Sequence, residues 1–269
     1  MLKVIVAGAA GRMGKQIIKA LSDDDRFVLK GAFESPDHPA VGQDAGLLAG
    51  VGSSGVIVED SFEKTDRDAD VLIDFTTPEA TLKNVRVAKS RNLAMVIGTT
   101  GFSDDILHEI TGIVSEIKCV MAPNMSVGVN VMFKIAGELA KILGNDYDME
   151  IIEAHHNLKK DAPSGTALRL ADVLAGATGR DLESTAVYCR KGIIGERDRE
   201  EIGIQVIRGG DITGEHTVMF AGTGERIELI HRAHNRGNFA RGALRAALWV
   251  VKQPEGLYDM QDVLGLKDL

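Results

Sequence analysis

The sequence predicts an α/β protein: a doubly wound parallel sheet, plus a second, α+β domain with a mostly antiparallel sheet. Two observations predict this fold class. Up to about residue 126, short apolar runs alternate with helical patterns, and most runs end at a turn signal. From residue 127, one long helical segment is followed by several extended runs with a single helix among them.

The first half contains five short apolar runs that are predicted as strands. They are Leu2–Ala7, Phe27–Phe33, Val71–Phe75, Met95–Ile97 and Cys119–Ala122. A helix is predicted directly after the first strand, because apolar residues recur there at helical spacing. Its apolar face consists of Met13, Ile17, Ile18 and Leu21. Strands that alternate with helices imply parallel βαβ units.

The second half begins with a helix over Val127–Leu143 and continues with five extended runs. The runs are Met149–His155, Ala186–Arg190, Ile202–Ile207, His216–Ala221 and Arg226–Arg232. Gly222-Thr223-Gly224 lies between the last two and predicts a hairpin turn. A helix over Gly165–Leu174 interrupts the strands. The amphipathic segment Phe239–Lys252 is expected to pack back on the first domain.

Composition limits the classes of partner. The chain has 31 Lys and Arg against 39 Asp and Glu, a formal net charge of −8, so a general basic surface for nucleic acid is absent. No stretch approaches the ~20 apolar residues of a membrane span. The strand that begins at Leu2 leaves little room for a removed leader. Cys119 and Cys189 form no CxxC pair, and we expect two structural thiols in a reducing, cytoplasmic compartment.

A glycine-rich turn, Gly8 to Gly14, follows the first strand and opens the first helix. Its glycines let the backbone approach a pyrophosphate, which the amides of a helix N-terminus then bind. The spacing is GxxGxxG rather than GxGxxG, which weakens the signal. Glu34 strengthens it, because it lies 20 residues later at the end of the second strand and can hold ribose hydroxyls. A plain βα turn with an exposed Glu is the alternative.

Ser35 follows Glu34, and no Lys or Arg lies close after it. The 2′-phosphate of NADPH would meet a carboxylate and few cations there, although Arg12 offers one contact. We therefore expect NADH to be used at least as well as NADPH.

Two further loops lie at predicted strand ends, Gly98–Gly101 and Ala122–Met125. Ligands of open α/β sheets bind outside the carboxyl ends of the strands. Small hydroxyl and amide side chains at that edge suit a nicotinamide ribose and carboxamide. The segment Asp74-Phe75-Thr76 is similar. Considered alone, each of the two loops is more often a plain turn, whereas Asp74-Phe75-Thr76 is as typical of a turn as of a ligand site.

The densest chemistry lies between Glu153 and Ala167. His155 and His156 end a strand and point to opposite faces, unless the strand ends between them. Lys159 follows across a polar turn, and Ser164 is a natural N-cap whose helix would receive a carboxylate. A metal site, a hydrogen-bonded histidine pair and a solvated lysine turn are the alternatives. Together, the groups favour a compact cationic pocket. No third ligand has metal spacing, so no metal is predicted.

Five stretches match one family: VAGAAGRMG, VIGTTGF, APNMSVGVN, IIEAHHNLKKDAPSGTAL and GERIELIHRA. On these residues, the chain resembles the bacterial 4-hydroxy-tetrahydrodipicolinate reductase (dihydrodipicolinate reductase) family. The resemblance implies a Rossmann-type dinucleotide-binding domain of residues 1–126 and 236–269. It implies a substrate-binding domain of residues 127–235, whose sheet forms a homotetramer in the family.

The resemblance also implies residue roles. His155 and Lys159 match proton-donor positions. The positions that match substrate contacts are His156, Gly165 and Thr166; Arg236, at a strand-to-helix junction, is a further candidate. The cofactor positions, with Thr76 as a further candidate, are Gly8, Ala9, Ala10, Gly11, Arg12, Met13, Glu34, Gly98, Thr99, Thr100, Ala122, Pro123, Asn124 and Met125. Many family members carry Arg where this chain has Ser35, which affects the expected cofactor preference and not the reaction.

The implied activity is the NADH- or NADPH-dependent reduction of a small cyclic imine dicarboxylate in the diaminopimelate route to lysine. Two alternatives stay open: an NAD(P)-dependent amino-acid dehydrogenase of the same two-domain plan, and a dinucleotide-sensing protein without turnover. The intact HHxxKxDAPSGTA run argues against the first, and the presence of both His155 and Lys159 argues against the second.

Overall fold

The computed structural model describes residues 1–267. The chain divides into two compact units. Unit 1 consists of Met1–Val127 and Arg236–Leu269, and unit 2 consists of Gly128–Asn235. Each unit has its own sheet and its own apolar core.

The strands alternate with helices in the first half and follow one another more closely in the second. In chain order they are β1 (Leu2–Ala7), β2 (Phe27–Phe33), β3 (Val58–Glu59), β4 (Val71–Asp74), β5 (Ala94–Ile97), β6 (Lys118–Met121), β7 (Asp148–His155), β8 (Ala186–Val187), β9 (Ile202–Arg208), β10 (Glu215–Gly222), β11 (Glu225–Arg232) and β12 (Gly256–Tyr258).

The helices, again in chain order, are α1 (Arg12–Ser22), α2 (Ala45–Ala49), α3 (Pro78–Arg91), α4 (Asp104–Val114), α5 (Val127–Leu143), α6 (Gly165–Thr178), α7 (Leu182–Thr185), α8 (Gly237–Val250) and α9 (Met260–Leu264). Helix α6 extends beyond the predicted Leu174 to Thr178, because its buried face continues with Ala175. It ends at Gly179, which adopts the left-handed conformation with φ of 68°.

Unit 1 contains a seven-stranded sheet in the order β12-β6-β5-β4-β1-β2-β3, and all its neighbouring strands are parallel. Alternate residues of β1 enter different cores. Val4 and Val6 join the apolar residues of α1 and α8, whereas Ile5 and Ala7 join those of α3 and α4. Burial on both faces explains why these strands are continuous apolar runs. The predicted doubly wound parallel sheet is confirmed.

The strand order of unit 1 reverses between β1 and β4. The chain adds β2 and β3 on one side of β1, and β4, β5 and β6 on the other. Ligands of such sheets bind at this switch point, outside the carboxyl ends of the strands. The glycine-rich turn follows β1 directly and therefore lies at the switch point.

Unit 2 contains a five-stranded sheet in the order β11-β10-β7-β9-β8. Strand β10 is antiparallel to β7 and β11, whereas β9 is parallel to β7 and β8. The predicted α+β domain is confirmed, and its sheet is mixed, with parallel strands β9 and β8 beside the antiparallel ones. The reason is α6, which lies between β7 and β8 in the chain and makes the return a parallel crossover rather than a hairpin.

The predicted strand Ala186–Arg190 is shorter than expected, because β8 ends at Val187. The chain then leaves the sheet, and the guanidinium of Arg190 binds both carboxylate oxygens of Glu150 at 2.8 and 2.9 Å. Helices α5 and α6 cover one face of the unit 2 sheet with an apolar core. The opposite face is the outer face of this sheet. Strand β7 alternates accordingly, and its buried positions include Glu153 and His155 near the end.

Candidate functional site

The glycine-rich turn of unit 1 is shaped by close backbone approaches. Gly8 has a positive φ of 62°. A Cβ atom on Gly14 would lie 2.1 Å from the Gly8 carbonyl oxygen and 2.7 Å from the Ala9 Cα, so α1 begins directly against the turn. Gly11 at the N-cap supplies no side-chain acceptor to the first turn of α1. The amides at this helix end are therefore suited to an anionic ligand.

Glu34 directly follows β2 and is tied to the same turn. Its Oε1 accepts a hydrogen bond from the Ala10 amide at 2.9 Å. A cavity of about 670 Å³ extends from this contact and is lined by Gly8, Glu34, Ser35 and Thr76, among others. This volume is ordinary for a small-molecule site. Adjacent glycine and carboxylate groups fit the pyrophosphate and ribose of a dinucleotide.

A buried carboxylate connects the ends of β4 and β5. Asp74 accepts hydrogen bonds from the Thr76 hydroxyl at 2.6 Å and from the Asn84 side chain at 2.8 Å. Thr99 accepts from the Thr76 amide at 3.0 Å and from the Thr81 hydroxyl at 2.8 Å. Burial raises the pKa of Asp74 above its usual value, although the hydrogen bonds from Asn84 and Thr76 oppose this effect. The network holds two predicted cofactor residues, Thr76 and Thr99, against each other.

Two glycines bring the remaining predicted loops into place. A Cβ atom on Gly98 would lie 2.1 Å from the ring of Phe75, so the ring packs directly on this backbone. A Cβ atom on Gly242 would lie 1.7 Å from the Met125 carbonyl oxygen, so α8 packs directly against the end of the Ala122–Met125 loop. Every predicted cofactor residue thus follows a carboxyl end among β1, β2, β4, β5 and β6. The cofactor assignments themselves stay predictions.

Arg236 lies in unit 1, immediately before α8. Burial lowers its pKa, and the nearby positive charge of Arg12 lowers it further. Neither guanidinium forms an ion pair within residues 1–267. The predicted contact of Arg236 with the substrate stays a prediction, and the structure groups this arginine with the glycine-rich turn.

In unit 2, the carboxylate of Glu153 is fully buried and surrounded by donors. Its Oε2 lies 2.6 Å from His155 Nδ1 and accepts from the Arg208 guanidinium at 2.7 Å. Its Oε1 accepts from the Ser164 amide and from Arg208, both at 2.9 Å. Burial by itself raises the pKa of Glu153, but these hydrogen bonds outweigh it and lower the pKa to about 2.

A second histidine lies behind the first. The rings of His155 and His216 meet edge to face with centroids 5.2 Å apart. Burial, and then the charge of His155, lower the pKa of His216 to about 3, so this ring is neutral. Its Nε2 lies 3.1 Å from the Ser164 hydroxyl. That hydroxyl accepts from the Ala167 amide at 3.2 Å, which makes Ser164 the N-cap of α6 as predicted.

Strand β7 ends at His155, so the strand ends between the paired histidines. His156 is half-buried, and its Nδ1 has no hydrogen-bond partner in the described part of the chain. Such an atom is suited to a ligand, because an unpaired buried polar group is costly. Lys159 Nζ pairs with Asp161 Oδ2 at 2.9 Å. Burial raises the pKa of Asp161, but the hydrogen bond from Lys159, a backbone hydrogen bond and the charges of Lys159 and Arg208 together leave the pKa below its usual value.

Unit 2 thus brings together all the predicted residues between His155 and Thr166. The Gly165 backbone is exposed at the start of α6, and Thr166 is half-buried beside it. The sequence argument missed the roles of Glu153, Arg208 and His216. For Glu153, a signal was available: it precedes His155 by two residues, at a position of the strand that the alternating pattern predicts to be buried. Arg208 and His216 lie more than 50 residues from their partners Glu153 and Ser164, so no local signal indicated them.

Within residues 1–267, no group of three or more His, Cys, Asp or Glu side chains is arranged to hold a metal ion. None of the helices described has the length and apolarity that a membrane crossing requires.

Known proteins match both halves of the chain. Residues 2–125 match the family model of the dihydrodipicolinate reductase N-terminus, and residues 128–264 match the model of its C-terminus. A dipicolinate-bound dihydrodipicolinate reductase from Paenisporosarcina sp. TG-14 has a similar structure, with a TM-score of 0.73 and 26% identity. The match covers 97% of this chain and 98% of that one.

Relatives of similar length are closer in sequence. The 4-hydroxy-tetrahydrodipicolinate reductase of Geotalea uraniireducens is 55% identical over 267 residues, which cover 99% of this chain and 100% of that protein. The enzyme of the same name from Geobacter sulfurreducens is 56% identical with the same coverage. The chain belongs to the dihydrodipicolinate reductase family.

Proposed function

We propose that this chain reduces 4-hydroxy-tetrahydrodipicolinate to tetrahydrodipicolinate with NADH or NADPH, in the diaminopimelate route to lysine. The observation that carries the proposal is the cluster in unit 2. It combines His155, Lys159 and the N-terminus of α6 in a chain whose full-length relatives carry the reductase name. Those names also set aside the amino-acid dehydrogenase alternative.

Substrate binding is assigned to unit 2. The substrate is a cyclic imine with two carboxylates, and the amides of Gly165 and Thr166 at the start of α6 would receive one of them. His156 would contribute its unpaired Nδ1. Lys159 supplies positive charge, and its ammonium pairs with the exposed carboxylate of Asp161.

Proton transfer is assigned to Lys159 and His155. The hydroxyl of the substrate is lost as water, which conjugates the ring, and the nicotinamide, when bound, supplies the hydride that adds at C4. Negative charge then develops in the substrate ring, and the Lys159 ammonium is placed to donate the proton that quenches it. Glu153 holds His155 by its Nδ1, which leaves Nε2 as the ring atom available for proton exchange.

The activity is tested by following NADH oxidation with the cyclic imine as substrate. Turnover that depends on both NADH and the imine is expected. A chain that binds NADH without oxidising it would support the sensing alternative and contradict the proposal.

We expect kcat/KM with NADH to equal or exceed that with NADPH. The cavity beside Glu34 is also lined by Asp60, Glu63 and Glu79, with Lys83 and His38 as its basic residues. A 2′-phosphate would therefore face mainly negative charge. Steady-state kinetics with both cofactors measure the ratio, and a large preference for NADPH would defeat the expectation.

A positive charge added at Ser35 tests whether the lack of cations there disfavours NADPH. Ser35→Arg is expected to raise kcat/KM for NADPH several-fold, because a guanidinium pairs well with phosphate. Ser115→Arg is the matched control: it adds the same charge at an exposed position that follows α4, near the amino end of β6. An equal gain in both variants would indicate a general charge effect.

His156→Ala is expected to raise the KM for the imine about tenfold while kcat changes little, because a contact to the bound substrate is lost. Steady-state kinetics at saturating NADH measure both constants. A fall in kcat with unchanged KM would instead assign His156 to the chemical step.

The finer properties of the family are proposed as well. We expect a cytoplasmic homotetramer that uses the outer face of the unit 2 sheet. On that face, Ile207 of β9 and Ile230 of β11 are apolar and exposed. Cys119 and Cys189 are free thiols. Light scattering after size-exclusion chromatography tests the assembly, and a monomer at micromolar concentration would contradict it.

A further inference from the structure

The carboxylate of Glu153 in unit 2 has no role in the proposed reaction beyond its contact with His155. Glu153 is fully buried, yet it lies among donors from three separate elements. Its four hydrogen bonds occupy both carboxylate oxygens, two at each. Burying a carboxylate costs free energy of desolvation, and these four hydrogen bonds offset that cost.

We infer that Glu153 is a positioning residue that fixes two parts of the site at once: the His155 ring and the first turn of α6. Arg208 holds the carboxylate for both tasks. The inference rests on the proposed function, because it concerns how the substrate site and the proton donor of that reaction are aligned.

The sheet register brings these groups together. His155 on β7 is paired with Arg208 on β9, and Glu153 lies opposite His216 on β10. Because Glu153 precedes His155 by two residues, their side chains share one face of the strand. The Arg208 guanidinium reaches both Glu153 oxygens and also donates to the Asp161 carbonyl at 2.8 Å. The arginine thereby attaches the loop after Lys159 to the same carboxylate.

The carboxylate determines the tautomer of His155. With a pKa of about 2, Glu153 is ionised at any working pH and can only accept hydrogen bonds. The 2.6 Å contact therefore requires a proton on His155 Nδ1. Nε2 is then the atom that exchanges a proton. It lies beside the backbone of Gly214, where a Cβ atom would approach it to 3.1 Å.

The other oxygen secures the substrate end of the site. Oε1 binds the Ser164 amide at 2.9 Å, and Ser164 caps α6. The amides proposed to hold a substrate carboxylate, those of Gly165 and Thr166, follow directly. One buried carboxylate thus contacts both the proton-exchanging ring and the helix end that is proposed to hold the substrate. These two contacts fix the position of the ring relative to the helix end.

Charged and titratable groups face His155 from its own strand, the neighbouring strands and the loop after β7. Glu153 is on its own strand, Arg208 on β9 and His216 on β10. Lys159 and Asp161 lie in the loop that follows β7. His216 is neutral, because burial and the charge of His155 lower its pKa to about 3. Glu153 is the anion in contact with the ring.

Glu153→Gln is the decisive variant. In either orientation, the new amide nitrogen faces one N–H of Arg208 and loses that hydrogen bond. Ser164, a fixed backbone donor, then decides the orientation, and the amide nitrogen is expected to face His155. The ring then accepts at Nδ1 and carries its proton on Nε2. We expect kcat to fall at least tenfold. The limb of the pH–rate profile that reports ring protonation should move to lower pH, because the neighbouring negative charge is lost.

Glu150→Gln is the matched control. Glu150 lies on the same strand, on the opposite face, and also pairs with an arginine, Arg190. It makes no contact with His155. Its variant should keep the wild-type pH profile. Glu153→Asp retains the charge, so its pH–rate profile should keep the limb at the wild-type position even if kcat is low. This variant also tests the inference if Glu153→Gln fails to fold.

A readout without turnover separates this inference from the proposed function. Nitrogen-15 NMR of the histidine-labelled full-length protein should show a ring with its proton on Nδ1 that is lost in Glu153→Gln and retained in Glu150→Gln. An active wild-type enzyme whose Glu153→Gln variant keeps kcat, pH profile and ring tautomer overturns the inference alone. An inactive wild type with the expected tautomers overturns the proposed function alone.

Discussion

Lys159→Ala is expected to lower kcat by roughly 10²–10⁴-fold, the usual worth of a positioned general acid, while NADH binds with unchanged affinity. The ammonium is the proposed proton donor, and its partner in the structure is the exposed carboxylate of Asp161 at 2.9 Å. The substitution removes the donor and leaves Asp161 unpaired. Cofactor binding should persist, because the predicted cofactor residues all lie in unit 1 and Lys159 lies in unit 2.

Lys160→Ala is the control for this prediction. It removes the same charge from the next residue, whose side chain is exposed. Steady-state kinetics measure the loss of kcat, and fluorescence titration of NADH measures cofactor affinity. Near-normal turnover in Lys159→Ala, or an equal loss in Lys160→Ala, would remove Lys159 from the mechanism.

Local signals were enough to predict five of the seven strands of unit 1, but not β3 and β12, which are only two and three residues long. Each of the five is an apolar run bounded by a turn. The predicted cofactor residues lie in the segments that follow these strands, so the parallel topology brings those segments to one edge. What local signals could not show is the polar network behind that edge. Thr81 and Asn84 are on α3, and their bonds to Thr99 and Asp74 depend on how that helix packs on the sheet.

In unit 2 as well, local signals predicted some residues of the candidate site and missed those that only the sheet register brings close. His155, Lys159 and Ser164 lie within ten residues, so spacing and capping rules predicted their proximity. Arg208 reaches Glu153 only through the parallel register of β7 and β9. The sequence pattern predicted mostly antiparallel strands there, and an antiparallel pairing would have placed different residues opposite His155. The mixed topology and the missed arginine therefore have one physical cause.

Gly14→Ala is expected to weaken NADH binding at least tenfold and to destabilise the protein by roughly 2 kcal/mol, as overpacking of a tight contact does. The added Cβ atom would lie 2.1 Å from the Gly8 carbonyl oxygen and 2.8 Å from the Ala9 carbonyl carbon. Both neighbours are backbone atoms and cannot rotate away. Either α1 or the glycine-rich turn must move, and the turn is where the pyrophosphate is proposed to bind.

Gly112→Ala separates this steric effect from the general consequence of adding a methyl group to a helix. Gly112 is an exposed residue of α4, and a Cβ atom there meets nothing within 4 Å. Its substitution should raise stability by up to ~1 kcal/mol, because alanine favours helix over glycine. Thermal unfolding measures both variants, with a Tm roughly 4–8 °C lower expected for Gly14→Ala. Wild-type Tm and NADH affinity in that variant would show that the turn tolerates a side chain, which would contradict the tight pyrophosphate turn on which the cofactor assignment depends.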